Sequence, residues 1–468
     1  MKKTAFLMTA VFIASTAMAD IVVKPSKTVG PIKIMNAVNN GPVKTKGDQV
    51  RDNFQSFKDC DIPYARTHDS NDNSSYGGPH TIDITAIFPD FSKNVNDPKS
   101  YDFTFTDEYL STMQEAGTKV FYRLGQSIEH GSKKYGIMPP ADNMKWAQIC
   151  EHIIRHYTEG WADGYKWDIE YWEIWNEPDL DADNEAWKRN PRTWGGSPEQ
   201  FFKFYEIAAN HLNKCFPHLK IGGPALAGEE NHVERYAWAE TFLSYMAEHK
   251  VELDFFSWHV YSTTPQGMAK KCHEIRQLLD KHGYTKTESI LNEWNYVRGW
   301  TDDYQYSVMA MNNLIGASFV ASAFNLCNKT PLDMLMYYDA RVFTVFNGMF
   351  DYYTFAPKEG YYPFYAWAKL RKLGTEIEAT SDDAEVSATA ATNGKGKTAV
   401  FVSRFTPDNN IVASKWVNIK VEGLPSDAEL IGHITDSNHI YTEVPVHVID
   451  GVIRVNLEPR SFIMIEIR

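Results

Sequence analysis

The chain has 468 residues, of which 43% are hydrophobic and 23% charged, and a formal net charge of −13. The length suits two domains, or one large barrel with an appendage, and the composition is that of a globular protein rather than a disordered or fibrous one. So acidic a surface repels phosphate backbones and disfavours nucleic acid as a partner, while aromatics at 14% suit both a large core and packing on sugar rings.

Residues 1–19 read as a secretory leader: Lys2 and Lys3 form the basic start, 5–14 the apolar run, and Ala17-Met18-Ala19 an A-x-A cleavage site. Asp20 is the expected mature N-terminus, and no cysteine follows the site to carry a lipid. Loss of the two lysines takes the charge from −13 to −15. No other apolar run approaches the roughly 18 residues of a membrane helix. An exported protein, secreted or periplasmic and without membrane insertion, is expected. Five cysteines (Cys60, Cys150, Cys215, Cys272, Cys327) lack any C-x-x-C pair. Buried free thiols are expected ahead of disulfides, and neither a metal site nor a cofactor is expected.

After a short β-type segment at 20–31, strands alternate with helices. Strands are expected over 32–38, 62–68, 119–124, 171–176, 220–223, 254–259, 288–292 and 333–338. Helices follow near 54–60, 107–116, 142–159, 197–215, 234–249, 268–281, 304–324 and 361–373. Ser197-Pro198-Glu199 supplies a cap and a proline start. Eight alternations, with no Gly-rich phosphate loop at any strand end, predict a (β/α)8 TIM barrel over 32–374. From 375 to 468 the pattern becomes short strands separated by turns such as Thr392-Asn393-Gly394, which predicts a C-terminal β-sandwich, with 20–31 as a candidate added strand.

In such a barrel the chemistry lies at the C-terminal strand ends. The second strand ends Arg66-Thr67-His68-Asp69, the fourth Trp175-Asn176-Glu177-Pro178, and the sixth Trp258-His259-Val260-Tyr261. The seventh ends Asn292-Glu293-Trp294 and the eighth Tyr337-Tyr338-Asp339. Alternation puts Trp172, Ile174 and Asn176 on one side of the fourth strand, and Glu173, Trp175 and Glu177 on the other. Glu177 and Glu293 face each other across the barrel mouth, the arrangement a glycosidase needs for one carboxylic acid and one carboxylate.

Asn176-Glu177-Pro178 after strand four and Glu293 after strand seven resemble the retaining (β/α)8 glycosidases. The run from Glu173 to Pro178, the Arg66-Thr67-His68 and Trp258-His259-Val260-Tyr261 ends and the trailing strands most resemble glycoside hydrolase family 39, which includes β-xylosidases and α-L-iduronidases. The resemblance covers nearly the whole mature chain. It implies Glu177 as acid/base and Glu293 as nucleophile, with Asn176 on the sugar 2-hydroxyl and His68, His259 and Tyr261 around the sugar. Arg66, Trp294 and Tyr338 join them as expected substrate-side residues. Burial and an ionised Glu293 are expected to raise the pKa of Glu177, with Arg66 helping to keep Glu293 ionised.

Blander roles are weighed beside these. Glu173, deeper in its strand, reads as a structural ion-pair partner, Asn292 as loop support, and His68 could serve as a core histidine. Trp175, Trp258 and Trp294 singly read as packing, though at least one is expected to stack on substrate. Residues 179–184 resemble the start of a calcium loop, but Asn184 and Asn190 stand where Gly and Glu belong, so the segment reads as a solvated loop. Asp69 to Asn73 reads as a polar rim. The leading expectation is an exo-acting β-xylosidase on an oligosaccharide or glycoside. The alternatives are the same mechanism on a uronide, with Arg298 or Arg341 as the cation, on an arabinopyranoside or a galactoside, or a non-catalytic sugar-binding protein.

Overall fold

The computed structural model describes residues 18–69, 80–228 and 233–468. Residues 1–17 of the expected leader lie outside them, as do residues 70–79, which include most of the expected polar rim at 69–73, and residues 229–232. Eight parallel strands close into a barrel in sequence order: β2 (Ile34–Asn39), β3 (Tyr64–Arg66), β4 (Lys119–Leu124), β5 (Tyr171–Ile174), β6 (Lys220–Leu226), β7 (Phe255–Ser262), β8 (Glu288–Tyr296) and β9 (Met334–Tyr337). The preceding strand β1 (Met18–Pro31) belongs to the other sheet.

The two-residue period of the strands stacks the barrel interior in layers. Ala37, Tyr64, Phe121, Tyr171, Phe255, Ile290, Met334 and Met336 form an apolar plug at its base. Tyr171 stacks on Phe121 at 5.0 Å and meets Tyr64 edge-on at 5.3 Å. Two residues further along, Asn39, Arg66, Glu173 and Asn292 are all fully buried and make a polar layer. Intervening residues point outward; Trp172, for example, stacks on Tyr122 at 4.8 Å.

The helix expected over 304–324 is two helices, Tyr304–Met311 and Leu314–Cys327, bent by 73°. Asn313 starts the second by accepting a 2.8 Å bond from Ile315 N, and a side chain at Gly316 would meet Met311 O at 2.5 Å. Periodicity runs unbroken through this corner, so only the cap residue marks it. The second helix is almost wholly buried, and two of its polar side chains reach the C-terminal sheet: Ser322 Oγ donates to Ser403 Oγ at 2.9 Å, and Asn325 Nδ2 to the same oxygen at 3.0 Å. Among the described residues no single helix is long and apolar enough to cross a membrane.

The C-terminal module is one ten-stranded sheet that curls over its own core. It contains β10 (Thr375–Ser381), β11 (Val386–Thr392), β12 (Thr398–Phe405), β13 (Lys415–Val421), β14 (Leu430–Thr435), β15 (Thr442–Val444), β16 (His447–Ile449), β17 (Val452–Leu457) and β18 (Arg460–Ile467). The N-terminal strand β1 runs between β10, antiparallel, and β13, parallel, and buries Ile21 and Val23 with Ile377, Val400 and Ile419. All five cysteines are free thiols, four of them buried.

Candidate active site

The site begins where β5 stops. Trp175 and Glu177 have positive φ (75° and 49°), which a side chain tolerates only when the surroundings hold it there. Trp175 N donates to Leu124 O (2.7 Å) and its indole N–H to Thr193 O (3.0 Å). Glu177 N donates to Ala225 O (2.8 Å), and Thr193 Oγ1 donates to Glu177 O (2.6 Å). Gly125 permits the turn: it has φ +137°, and a Cβ there would lie 3.1 Å from Trp175 Cα.

The strict alternation expected through Glu177 therefore fails. The left-handed step at Trp175 throws its ring outward, 5.2 Å from Trp194 and 5.4 Å from Phe204, and turns Asn176 inward. There Asn176 meets Arg66, whose Nη2 donates to Asn176 Oδ1 at 2.6 Å. Arg66 Nε donates to Glu173 Oε2 (2.7 Å), and its Nη1 to Asn39 Oδ1 (3.0 Å) and Glu293 Oε2 (3.3 Å). Asn292 Nδ2 donates to the other oxygen of Glu173.

Above this layer a cleft of about 430 Å³ opens between Glu177 and Glu293, with His68, Tyr261, Tyr338 and Trp300 on its walls. One oxygen of each glutamate and Nδ1 of His259 lie within 4.8 Å of one another. His259 Nδ1 is 2.8 Å from Glu177 Oε1 and 3.7 Å from Glu293 Oε2, and Tyr261 OH donates to Glu293 Oε1 at 2.6 Å. By distance alone the trio resembles a cation site, but Arg66 already supplies positive charge against Glu293. A second group of potential ligands, Glu151, His211 and Cys215, sits on the outer helices, where His211 Nε2 is bonded to Glu151 at 2.7 Å.

Burial sets the protonation states. It pushes Glu177 up to about 7; Arg235, Arg66 and Arg192 oppose the rise, and Asp181 adds to it. The expected driver, the charge of Glu293, is not among these leading causes. Burial also raises Glu293, whereas Arg66 and the Tyr261 hydroxyl act to hold it ionised. Both of those groups donate to its oxygens, so they favour the carboxylate form. Burial lowers His259 to about 4, so its contact with Glu177 is a hydrogen bond rather than an ion pair. His68 is likewise held neutral by burial, and its Nδ1 has no hydrogen-bond partner among the described residues.

Of the residues singled out from sequence, Glu177, Glu293, His68, Tyr261 and Tyr338 converge on the cleft, with His259 just beneath. Tyr338 OH donates to Asp69 Oδ2 at 3.0 Å, and Asp69 is itself held by Arg341 (3.1 Å) and His80 (3.2 Å). Two expected substrate contacts need correction. Arg66 has no exposed surface and lies under the cleft, because β3 ends at that residue and three buried acceptor side chains besides Glu293 claim its guanidinium. Trp294 follows Glu293 by one residue and so points outward, where it packs 5.6 Å from Tyr337 and 6.1 Å from Phe319 and Phe324.

Trp175 and Trp258 are also packed away from the cleft; the tryptophan on the wall is Trp300, 44% exposed and edge-on to Tyr261 at 4.9 Å. Sequence reading missed Trp300, Arg192, Arg235 and Phe346 as individuals. Arg192, Trp300 and Phe346 lie on βα loops, where no periodicity tells which side chain turns inward, and Arg235 is in the first turn of the helix Val233–Glu248. The two arginines considered for a uronate are engaged: Arg341 with Asp339 and Asp69, Arg298 with Asp303.

The model of the family described as glycosyl hydrolases family 39 matches residues 45–317, a span that carries both glutamates. The chain belongs to glycosyl hydrolases family 39. A β-xylosidase of Geobacillus stearothermophilus is 28% identical over 173 residues, and one of Caldicellulosiruptor saccharolyticus is 29% identical over 174. Each match takes in 35% of this chain and only about a third of the relative, 31% and 32%. In fold the chain is similar to a glucosidase from Croceicoccus marinus, with a TM-score of 0.76 over 97% of this chain and 99% of the other at 22% identity.

The geometry makes Arg66 the cation on which Glu173 and Glu293 both depend. Arg66→Met leaves two buried carboxylates without it and should cost about 3–5 kcal/mol of folding stability. Chemical denaturation measures this; a loss below about 1 kcal/mol would mean the network reorganises around the gap.

Proposed function

We propose that the protein is a retaining, exo-acting glycoside hydrolase that removes a terminal β-xylosyl unit from an oligosaccharide or glycoside. The observation that carries this reading is the pair Glu177 and Glu293, with oxygens within 4.8 Å across a cleft. Retaining enzymes hold their two carboxyl groups about 5–5.5 Å apart, and inverting ones about 6.5–9.5 Å to admit a water. The spacing therefore supports double displacement.

In the first step Glu177 gives its proton to the glycosidic oxygen as Glu293 attacks the anomeric carbon. The alcohol leaves and a glycosyl ester of Glu293 forms. In the second, Glu177 takes a proton from water, whose oxygen displaces Glu293 from the anomeric carbon and frees the sugar with its original configuration. Arg66 and Tyr261 stabilise the carboxylate of Glu293 before attack and after release. Because Arg66 occupies Asn176 Oδ1, the amide N–H of Asn176 is the end directed to the sugar 2-hydroxyl. The relatives named β-xylosidase support xylose as the sugar, and a cleft of this size supports a terminal unit over a long chain. The engagement of Arg298 and Arg341 speaks against a uronide in the glycone position. The presence of both carboxyl groups on the cleft, with Glu293 held by donors, speaks against a non-catalytic binding protein. The leader at 1–19 supports export.

A panel of aryl glycosides (xyloside, arabinoside, galactoside, glucoside, uronides) tests the sugar. Xyloside should be turned over fastest, with the retained anomer as first product by NMR; the inverted anomer would defeat the double displacement. Glu293→Gln should abolish turnover of every aryl glycoside, because no ester can form. Glu177→Gln should slow poor leaving groups far more than activated ones, since only the former need protonation; an equal loss on both would assign Glu177 another role.

Glu177 acts as the acid only while protonated. With its pKa raised to about 7, the acid form predominates below that value and is lost above it. The kcat/KM profile for a substrate with a poor leaving group should fall as pH rises through about 7, and in Glu177→Gln that limb should vanish.

A further inference from the structure

Away from the cleft, a cluster of ligating side chains is assembled from two neighbouring helices, Asn143–Thr158 and Pro198–Cys215. His211 and Cys215 stand four residues apart and so share one helix face. Glu151, 60 residues before His211 in the chain, meets them from the other helix. One ligand atom of each, a carboxylate oxygen, an imidazole nitrogen and the sulfur, lies within 4.8 Å of the other two. All three residues are half-buried, with side-chain exposure of 16% for Glu151 and 17% for His211, so packing holds them while solvent still reaches them.

The distances are near those of a tetrahedral centre. Bonds of about 2.0–2.2 Å to nitrogen and oxygen and about 2.3 Å to sulfur place N and S about 3.5 Å apart, and N and O about 3.4 Å. His211 Nε2 is 3.8 Å from Cys215 Sγ and 2.7 Å from Glu151 Oε2. An ion would replace that hydrogen bond once the carboxylate moves back by about 0.7 Å, within reach of a side-chain adjustment.

The charges close as well. Arg155 Nε donates to the other oxygen of Glu151 at 2.9 Å, which leaves Oε2 to a ligand, and Arg155 Nη1 is paired with Glu159. Arg155 and Glu159 thus offset each other, while the Glu151 carboxylate and a Cys215 thiolate together match a divalent cation. Lys214, the other cation acting on the thiol, is exposed and screened by solvent. The catalytic trio differs, since Arg66 is bonded into it from below. An imidazole and a thiolate select zinc over calcium or magnesium, which prefer oxygen ligands.

We propose that Glu151, His211 and Cys215 form a zinc site, with water as the fourth ligand, that clips the helix before β5 to the helix after it. On binding, the thiol gives its proton to solvent. None of the three residues lines the cleft, so the site steadies the strand that leads to Glu177 from outside the barrel.

The test uses the full chain, reduced and stripped with a chelator, titrated with Zn2+ by calorimetry and with Co2+ by absorption spectroscopy. One equivalent of Zn2+ should bind, and Co2+ should give tetrahedral d–d bands with a thiolate-to-cobalt charge-transfer band. Cys215→Ser should abolish the charge-transfer band, and His211→Ala should weaken Zn2+ by more than the roughly tenfold that loss of an outer partner costs. Saturating Zn2+ should raise the thermal midpoint of the wild type by about 2 °C or more and leave that of Cys215→Ser unmoved. Cys215→Ser exchanges a single half-buried atom, so loss of the band reads the ligand and not the fold. Absence of stoichiometric binding would overturn the proposal, as would a cobalt spectrum and Zn2+ affinity that survive both substitutions, since the ion would then sit elsewhere.

Discussion

One guanidinium at the centre of the barrel organises everything above it. Arg66 has no contact with solvent and bonds to Glu173, Asn39, Asn176 and Glu293, residues from three different strands or their ends, β2, β5 and β8. A buried cation is tolerated only when its charge and its donors are satisfied. Two carboxylates and two amide oxygens meet that demand here. The same bonds fix the direction of each partner: the amide oxygen of Asn176 is turned to the guanidinium, and Glu293 is held where it lines the cleft above.

The polar layer stands on an apolar one. Aromatic rings from β3, β4, β5 and β7 fill the barrel base, and one strand period higher the side chains turn polar. Water is thereby kept from below the site, and the low-dielectric setting that raises Glu177 and lowers His259 follows from that packing. The acid of the proposed reaction is thus poised by burial more than by repulsion from its partner glutamate. Nearby arginines pull its pKa down and keep the group within a working range.

Much of the site was legible in the sequence because strands have a fixed period and barrels a fixed polarity. Counting eight strand–helix units assigns Glu177 and Glu293 to opposite strand ends, and Tyr261, Tyr338 and His68 to the same rim. Where the period breaks, the reading breaks with it. Positive φ at Trp175 and Glu177 reversed the sides expected for Trp175 and Asn176, and the register shift between β7 and β8 at Asn292 leaves both Asn292 and Glu293 facing inward, which sends Trp294 into the outer packing. The corner at Asn313 was hidden inside continuous hydrophobic spacing.

The sequence by itself determined the repeating units, the two glutamates and the family to which the chain belongs, since all of these are written in local pattern and order along the chain. Tertiary structure decided which side chains share a space. It moved Arg66 from the expected substrate contacts to the scaffold, brought Trp300 to the wall in place of Trp294, and set Arg192 and Arg235 in the lining of the cleft that holds Glu177. The physical reason is that residues 192 and 300 lie on loops, whose side-chain directions follow from closure of the barrel and carry no period of their own, and that residue 235, in the first turn of its helix, faces the cleft only through where that helix docks.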